Sequence, residues 1–310
     1  MSLEENITFV IPFRNVSNRD LPLLHYVPEC VALRKTLLLL IDDNSTDNSF
    51  SWLQNVLASY HNIQILQSPY QQGKKFALRY GIEQATTTYV WLSDIDVLLP
   101  SLSGISLDKK AELLILPLQM KEQDGLLCRL QNIEYIAIQT LTLLSAQCGH
   151  PVMCSAANLL VKRQCWLQSF PYLHTELPSG DDMFLLEACK RNKKHIKPLY
   201  GTTWTATVYP ETTLKGLLRQ RMRWAGKAPA YTDADILLCG AWVILSNFLA
   251  LFPPFFIIKY IADVCLIRYG IRHYQFTMRA TPGYALLLSL VYPWYILYVL
   301  LGGIFHKKRW

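Results

Sequence analysis

Hydrophobic and polar positions alternate in short blocks along the first hundred residues. Four apolar runs have the length of buried strands, namely Ile7–Phe13, Leu37–Ile41, Ile63–Leu66 and Tyr89–Leu92. The segments Asp47–Tyr60 and Gly73–Ala85 instead have the apolar spacing of helices. Strands that alternate with helices of this length indicate an α/β fold with a doubly wound, mostly parallel sheet flanked by helices.

The middle of the chain is less regular. Two further strands are predicted over Glu112–Met120 and Val152–Val161. The pattern also predicts three helices, over Leu126–Gln147, Asp181–Arg191 and Leu214–Gly226. The last of these is basic and amphipathic, and a glycine such as Gly226 is typical of a helix C-terminus.

Two stretches near the C-terminus, 236–258 and 283–305, contain no formally charged side chain. About 20 apolar residues in a helix span a bilayer, so we expect C-terminal membrane helices. Two spanning helices would place the loop between them outside, against the positive-inside tendency, with its basic residues Lys259, Arg268, Arg272 and Arg279. Pro253-Pro254 could instead turn a helical hairpin, and both stretches could also be buried core helices.

The composition and charge favour a membrane partner over nucleic acid. Hydrophobic residues make up 51% of the chain and charged residues 17%. Residues 1–189 carry 13 Lys and Arg against 19 Asp and Glu, whereas residues 190–310 carry 17 against 4. The basic half is also the apolar half, which suits an anionic membrane surface or a diphosphate. Eight scattered cysteines without a CxxC pair predict neither a disulfide framework nor a zinc site, and Glu4 and Glu5 speak against a signal peptide.

Acidic residues follow two of the predicted strands. Asp42 and Asp43 follow the second strand, and Asp94 and Asp96 follow the fourth. Ligands of parallel α/β sheets bind at the carboxyl ends of the strands. Alternate carboxylates on an extended segment can converge on Mg²⁺ or Mn²⁺ beside a diphosphate, although a lone DxD is more often a solvated turn. Helix capping, by Ser45 or by Asp47, is compatible with nucleotide binding by Asp43.

Two further motifs each allow a structural and a chemical interpretation. Asp181 and Asp182 open a helix, where they could complement its dipole or supply a general base. Arg223 could bind lipid headgroups or a leaving diphosphate, and Trp224 could be an interfacial anchor or a wall under an acceptor sugar. Three aromatic residues could select an acceptor or serve the core equally well: Tyr172, His174 and Trp204.

In this order the motifs resemble glycosyltransferase family 2, in particular its membrane-bound QxxRW branch. The resemblance runs through roughly residues 5–230 and rests on six features in chain order: Pro12 ending a strand, Asp42–Asp47, Gly73-Lys74, Asp94-Ile95-Asp96, Gly180-Asp181-Asp182 and Gln220-Arg221-Met222-Arg223-Trp224. It implies a GT-A fold, with a cytosolic glycosyltransferase domain over 1–230 and a membrane-associated helical region over 231–310.

The resemblance also implies a role for each matching residue. Asp182 would be the catalytic base, and Asp96 would hold a divalent metal, Mg²⁺ or Mn²⁺. The nucleotide sugar, with a UDP-sugar favoured, would be bound by Pro12, Asp43, Lys74, Asp94, Gln220, Arg223 and Trp224. One base and one direct displacement imply inversion at the anomeric carbon.

The implied function is an inverting transfer of a sugar to a hydroxyl acceptor, a lipid-linked glycan or glycolipid at the cytosolic leaflet of the inner membrane. The larger synthases of this branch have transmembrane helices before the catalytic domain, and none is predicted here. We therefore expect transfer of one or a few sugars rather than processive synthesis. The alternatives are a non-catalytic, membrane-tethered subunit of an envelope-glycan assembly and, less favoured, a nucleotidyltransferase.

Overall fold

The computed structural model of the chain describes residues 7–17, 19–22, 24, 36–100, 108–278 and 282–305. The strands are β1 (Ile7–Phe13), β2 (Leu37–Asp42), β3 (Ile63–Gln67), β4 (Tyr89–Ser93), β5 (Leu113–Ile115), β6 (Leu118–Met120), β7 (Asn158–Lys162), β8 (Ile196–Pro198) and β9 (Ala206–Val208). The helices are α1 (Ser49–Val56), α2 (Lys74–Gln84), α3 (Leu126–Gln147), α4 (Arg163–Ser169), α5 (Asp181–Arg191), α6 (Leu214–Ala225), α7 (Ala234–Leu249), α8 (Pro253–His273) and α9 (Pro282–Phe305).

The main sheet has the strand order β3-β2-β1-β4-β7-β5-β8. Strands β1 to β4 pair in parallel, β7 is antiparallel to both β4 and β5, and β5 pairs with β8 in parallel. The carboxyl ends of β2 and β4 therefore lie at the same edge as the start of β7. This architecture confirms the predicted mostly parallel α/β sheet flanked by helices.

Helix α2 packs close against the sheet because a glycine faces it. A Cβ at Gly81 would lie 2.5 Å from Cγ1 of Val10 and 2.7 Å from Cγ1 of Ile41. The strands beneath are mostly apolar on both faces, with β1 buried along its whole length and β2 buried from Leu38 onward, as expected for a sheet covered by helices on each side. The close approach fixes the start of α2, at Lys74, relative to the ends of β1 and β2.

One buried amide joins three parts of the core. Asn158, at the start of β7, accepts a hydrogen bond from Nε1 of Trp91 at 2.8 Å. Its own amide nitrogen donates to the carbonyl oxygens of Pro117 at 2.7 Å and Trp204 at 2.8 Å. The Trp91 ring stacks between Phe9 and Trp204, at centroid distances of 5.1 and 5.8 Å. Trp204 therefore has the structural role, the second of the two interpretations its sequence allows.

The chain divides into two compact units, and each is discontinuous in sequence. The first comprises the described residues up to Leu118 together with Cys154–Thr207, and contains the main sheet. The second comprises Gln119–Met153 and the described residues from Val208 onward, and contains α3 and α6 to α9.

Two predicted strands differ from the structure. The segment Glu112–Met120 forms two short strands, β5 and β6, because Pro117 lies between them and has no amide hydrogen for a continuous ladder. The predicted strand Val152–Val161 begins only at Asn158, whose amide donates to the carbonyl oxygen of Ser155 in a turn.

The first apolar stretch near the C-terminus is divided into two helices at Pro253-Pro254. The stretch 236–258 is not one helix, because α7 ends at Leu249 and α8 begins at Pro253. Proline suits the first turn of a helix, where its missing amide hydrogen costs no hydrogen bond. Helix α9 contains, at Gly283–Gly303, the one candidate membrane span in the described part of the chain, judged by length and composition.

We predict that Asn158→Leu lowers the free energy of unfolding by roughly 3 kcal/mol, about 1 kcal/mol for each polar partner left buried without a hydrogen bond. Urea denaturation of the variant and of the wild-type protein measures the difference. Asn192→Leu is the control, since its exposed amide can be replaced by water. An equal midpoint for Asn158→Leu and wild type would contradict the role of this amide.

Candidate active site

Two loops at the carboxyl edge of the sheet are tied together by serine hydroxyls. The amide of Asn15, after β1, donates to Oγ of Ser45 at 3.0 Å, and the amide of Val16 donates to Oγ of Ser49 at 2.6 Å. Asp47 accepts from the Ser49 amide at 3.0 Å at the start of α1, a local role like that of a helix cap. Ser45 does not cap the helix, because its hydroxyl donates to Asp42.

The adjacent carboxylates of Asp42 and Asp43 have different partners. Oδ1 of Asp42 accepts from the amide and the hydroxyl of Ser45, at 3.1 and 2.5 Å. Oδ1 of Asp43 accepts from the amide of Gly73 at 2.7 Å, directly before α2. Gly73 has φ of 146°, a conformation that favours glycine. Asp43 therefore links the end of β2 to the start of α2.

Two buried polar atoms at this strand end are Oδ2 of Asp42 and Nε of Arg14. Neither has a hydrogen-bond partner among the described residues. Asp43 is 5% exposed, and burial raises its pKa, although the hydrogen bond from Gly73 and the charge of Arg14 oppose the shift. Buried polar groups are normally satisfied, so an orphaned acceptor and donor at a strand end are suited to a polar ligand.

Lys74 brings two distant acidic segments together. Its Nζ lies 2.7 Å from Oδ1 of Asp94, after β4, and 3.3 Å from Oδ2 of Asp181, at the start of α5. Burial lowers the pKa of Lys74, but the carboxylates of Asp181 and Asp94 outweigh it, so the pKa lies above its usual value. Lys74 is thus a permanent cation between the two carboxylates.

The remaining predicted residues of the first unit lie at the same edge. Pro12 is buried near the end of β1, opposite Ile41 and beyond the last pair of β1 with β4. Its missing amide hydrogen therefore costs no bond to β4. Asp96 is exposed, two residues after Asp94. Within the described residues, no group of three or more His, Cys, Asp or Glu side chains is arranged to hold a metal ion.

Asp182 follows Asp181 in the first turn of α5 and is held by backbone amides. Its Oδ1 accepts from the amide of Met183 at 2.8 Å, and its Oδ2 lies 3.5 Å from the amide of Ala156, just before β7. The thiol of Cys154 donates to the Asp182 carbonyl at 3.3 Å. The preceding Gly180 has φ of 91°, which lets the chain turn sharply into the helix.

Lys75 supports the segment that leads to these aspartates. Its side chain is 3% exposed, and its Nζ donates to the carbonyl oxygens of His174 at 2.6 Å and Leu177 at 2.9 Å. The same ammonium group lies 5.1 Å from the centre of the Phe184 ring on α5. Consecutive lysines of α2 therefore serve the same segment, Lys74 through a carboxylate and Lys75 through carbonyl groups.

The three residues of the QxxRW motif lie on α6, in the second unit. Nε2 of Gln220 lies 3.5 Å from Oε1 of Glu211, and Oε1 of Gln220 accepts from Arg221. Arg223 is exposed, and Trp224 is half-buried with its ring 4.2 Å from Cζ of Arg221.

Four charged residues that contact or lie beside the candidate site residues were not indicated by the sequence pattern: Arg14, Lys75, Glu134 and Arg221. Arg14 follows a predicted strand directly and could have been identified by the rule that singled out Asp43. Lys75, Glu134 and Arg221 lie inside helices, where a charged residue normally indicates a solvated face.

We predict that Lys75→Met lowers the free energy of unfolding by about 1–3 kcal/mol, because the carbonyl oxygens of His174 and Leu177 lose their charged donor. Amide hydrogen exchange should accelerate over 174–182 while the β1–β2 pair stays protected. Lys110→Met, at an exposed lysine of the same unit, should be close to wild type. Unchanged exchange over 174–182 in Lys75→Met would contradict this role.

Comparison with known proteins agrees with the resemblance of the sequence. Residues 8–101 match the family described as "Glycosyl transferase family 2". No curated protein matches the chain in sequence. A mannosyltransferase from Pyrobaculum calidifontis, solved with GDP-Man and Mn²⁺, is 14% identical with a TM-score of 0.58. That match covers 98% of this chain and 88% of the mannosyltransferase.

Two further structures overlap less closely. Residues 1–349 of S. aureus TarS are 13% identical with a TM-score of 0.47, covering 93% of this chain and 91% of the other. Glucosyl-3-phosphoglycerate synthase from Mycobacterium tuberculosis, solved with Mn²⁺ and UDP-Glc, is 15% identical with a TM-score of 0.46, covering 74% and 80%. Residues 8–101 are therefore similar to family 2 glycosyltransferases, and the α/β fold around them is GT-A-like.

Proposed function

We propose that this protein transfers a sugar from a nucleoside diphosphate sugar to a hydroxyl acceptor, with inversion at the anomeric carbon. The observation that carries the proposal is the pair of contacts from Lys74 to Asp94 and Asp181, which gathers carboxylates at the carboxyl edge of the sheet. Ligands of open α/β sheets bind at this edge, and the family match includes two of the three residues.

The nucleotide would be held by the loops after β1 and β2. Asp43 would bind the nucleoside, and the orphaned Oδ2 of Asp42 and Nε of Arg14 offer it a buried acceptor and donor. Lys74 and Asp94 would contact the nucleotide sugar beside them. On the resemblance alone, Pro12 and the QxxRW residues Gln220, Arg223 and Trp224 complete the donor and acceptor contacts.

A divalent cation fits the donor set of the DxD segment. Asp94 and Asp96 offer two carboxylates, and Mg²⁺ or Mn²⁺ beside a nucleoside diphosphate is typically bound by one or two carboxylates and by phosphate oxygens. When bound, the cation would stabilise negative charge on the leaving diphosphate.

Asp182 would be the base. The acceptor oxygen attacks the anomeric carbon, its proton passes to the Asp182 carboxylate, and the bond from the sugar to the diphosphate breaks. One such displacement inverts the anomeric configuration. The amides of Met183 and Ala156 hold this carboxylate at the turn into α5, so it is oriented before the substrate arrives.

The acceptor would be a lipid-linked glycan or glycolipid at the cytosolic leaflet of the inner membrane. Helices α7 and α9 expose large apolar side chains, with Trp242 66% and Trp294 63% exposed. Such faces, next to a basic sequence, suit an anionic bilayer. We accordingly assign residues 1–230 to the glycosyltransferase domain and 231–310 to the membrane-associated region. A UDP-sugar is the favoured donor.

The transferase proposal is tested by nucleoside diphosphate release from detergent-solubilised protein across UDP-, GDP- and dTDP-sugars, with Mg²⁺ or Mn²⁺ and a lipid extract as acceptor. We expect release with one donor that requires the metal, and a loss of at least about 100-fold in Asp182→Asn. Asp124→Asn, at a fully exposed carboxylate, is the control and should match wild type.

Other outcomes point elsewhere. Unchanged release in Asp182→Asn would mean that Asp182 is not the base. Wild-type protein that releases no nucleotide with any donor would favour the tethering subunit, and release of pyrophosphate from a nucleoside triphosphate would favour the nucleotidyltransferase.

The membrane proposal is tested by flotation with vesicles of phosphatidylglycerol and phosphatidylcholine. We expect the wild-type protein to float with the vesicles, and Trp242→Glu/Trp294→Glu to do so much less, because a carboxylate is costly to bury among acyl chains. Val56→Glu, at an exposed apolar residue of α1, should float like wild type. Equal flotation of the double variant would contradict a bilayer on these faces.

A further inference from the structure

A buried carboxylate on α3 receives hydrogen bonds from two other helices of the second unit. Oε2 of Glu134 lies 2.7 Å from Nη2 of Arg221 on α6, and the two side chains are 6% and 5% exposed. Its Oε1 accepts from the hydroxyls of Tyr292 and Tyr295 on α9, both at 3.3 Å. The charge of Glu134 is therefore paired and its acceptor capacity is used on both oxygens.

Arg221 in turn touches two residues of the QxxRW motif. One terminal nitrogen donates to Oε1 of Gln220, and Cζ lies 4.2 Å from the centre of the Trp224 ring. A guanidinium group held by Glu134 on one side thus fixes the amide of Gln220 and the ring of Trp224 on the other. Arg221 occupies one of the two variable positions of the motif, so no role follows for it from the motif itself.

The same helix, α3, also supports the chain before α6. Gln131, one turn before Glu134, donates to the carbonyl oxygen of Glu211 at 2.8 Å and accepts from its amide at 3.0 Å. The side chain of Glu211 is the second partner of Gln220. Both partners of Gln220, Arg221 and Glu211, are therefore themselves bound by side chains of α3.

Helix α9 approaches α6 closely at a second point. A Cβ at Gly303 would lie 3.0 Å from Cβ of Ala225 and 3.1 Å from the amide nitrogen of Gly226. A Cβ at Gly302 would meet the side chain of Met222. The glycines let the backbones approach. The two tyrosines and the two glycines therefore hold α9 against the QxxRW helix and its support.

A buried ion pair is a poor source of net stability, because the cost of desolvation offsets most of the attraction. A fully hydrogen-bonded network does, however, restrict its members to one arrangement. The Glu134 network includes two side chains of the motif and two of the apolar C-terminal helix. Its physical effect is to couple their orientations.

We propose that Glu134 is a positioning residue, which acts through Arg221 to orient Gln220 and Trp224, and that Tyr292 and Tyr295 make this orientation depend on α9. The inference rests on the proposed function, in which these motif residues contact the nucleotide sugar and acceptor. It assigns to the C-terminal helix a part in the transfer reaction besides attachment to the membrane.

The test compares Glu134→Gln and Tyr292→Phe/Tyr295→Phe with wild-type protein. Tyr284→Phe is the matched control, because it removes another hydroxyl of α9 that bonds to α3, through Arg129, away from Arg221. Two quantities are measured in detergent: the affinity for UDP and for GDP with Mn²⁺ by calorimetry, and amide hydrogen exchange over residues 216–225. Binding stoichiometry reports the folded fraction separately from affinity.

We expect both variants to bind the recognised nucleotide about tenfold or more weakly at unchanged stoichiometry, with faster exchange over 216–225. A purely structural role would lower the stoichiometry and the unfolding midpoint but not the affinity. Wild-type affinity and exchange in both variants would overturn the inference.

The proposed function can fail separately. If wild-type protein binds neither nucleotide and releases none from any donor, the proposed function is wrong, and the part of the inference that concerns substrate is wrong with it. Faster exchange in the two variants, with Tyr284→Phe unchanged, would still support the orientation of α6 by Glu134. Unchanged exchange over 216–225 in both variants would also exclude the orientation of α6 by Glu134.

Discussion

The candidate site depends on a single ammonium group. Lys74 holds Asp94 and Asp181, which are far apart in the chain and carried by different elements, within 3.3 Å of its Nζ. Carboxylates gathered at one edge of a sheet repel one another, and a permanent cation among them offsets this repulsion. Helix α2 is fixed to the sheet at Gly81 and to β2 through Gly73 and Asp43. The ammonium group of Lys74 is therefore fixed in position, and it remains charged.

In both units, buried charged side chains of one helix bind groups of neighbouring segments. In the first, consecutive lysines of α2 hold a carboxylate and two carbonyl groups, and so define the entry to α5. In the second, a glutamate of α3 holds the arginine of α6 and two tyrosines of α9. In each unit a buried charge of one helix restrains a short segment that bears one of the sequence motifs, the Gly180-Asp181-Asp182 segment in the first and the QxxRW segment in the second.

The fold could largely be predicted from the sequence, and the support of the site could not. Apolar runs bounded by polar turns predicted β1 to β4 nearly to the residue, and the rule for strand ends then predicted that Asp43 and Asp94 share one edge. The rule works because it depends only on strand direction. Lys75 and Glu134 gave no such signal, since the partners that bury them lie about a hundred residues away.

Proline residues account for one element boundary that the sequence predicted, at Pro253, and for one that it did not predict, at Pro117. Pro253-Pro254 suggested a break in the apolar stretch, and the chain does begin a new helix there, because the fixed φ of proline suits the first turn of a helix. Pro117 has a comparable effect between β5 and β6, yet the apolar run around it predicted one strand. A single proline in a short apolar segment is compatible with an edge strand, so periodicity alone did not indicate the break.

The charges at the carboxyl edge also bear on the proposed metal. Lys74 is already engaged by two carboxylates and Lys75 by two carbonyl groups, so neither ammonium group faces the edge unpartnered. Asp96 and Asp182 add further negative charge there. A diphosphate brought to such an edge would be repelled unless a cation accompanied it. A divalent ion held by Asp94 and Asp96 would meet this requirement, so the charges of the site favour the proposed metal dependence independently of the resemblance to family 2.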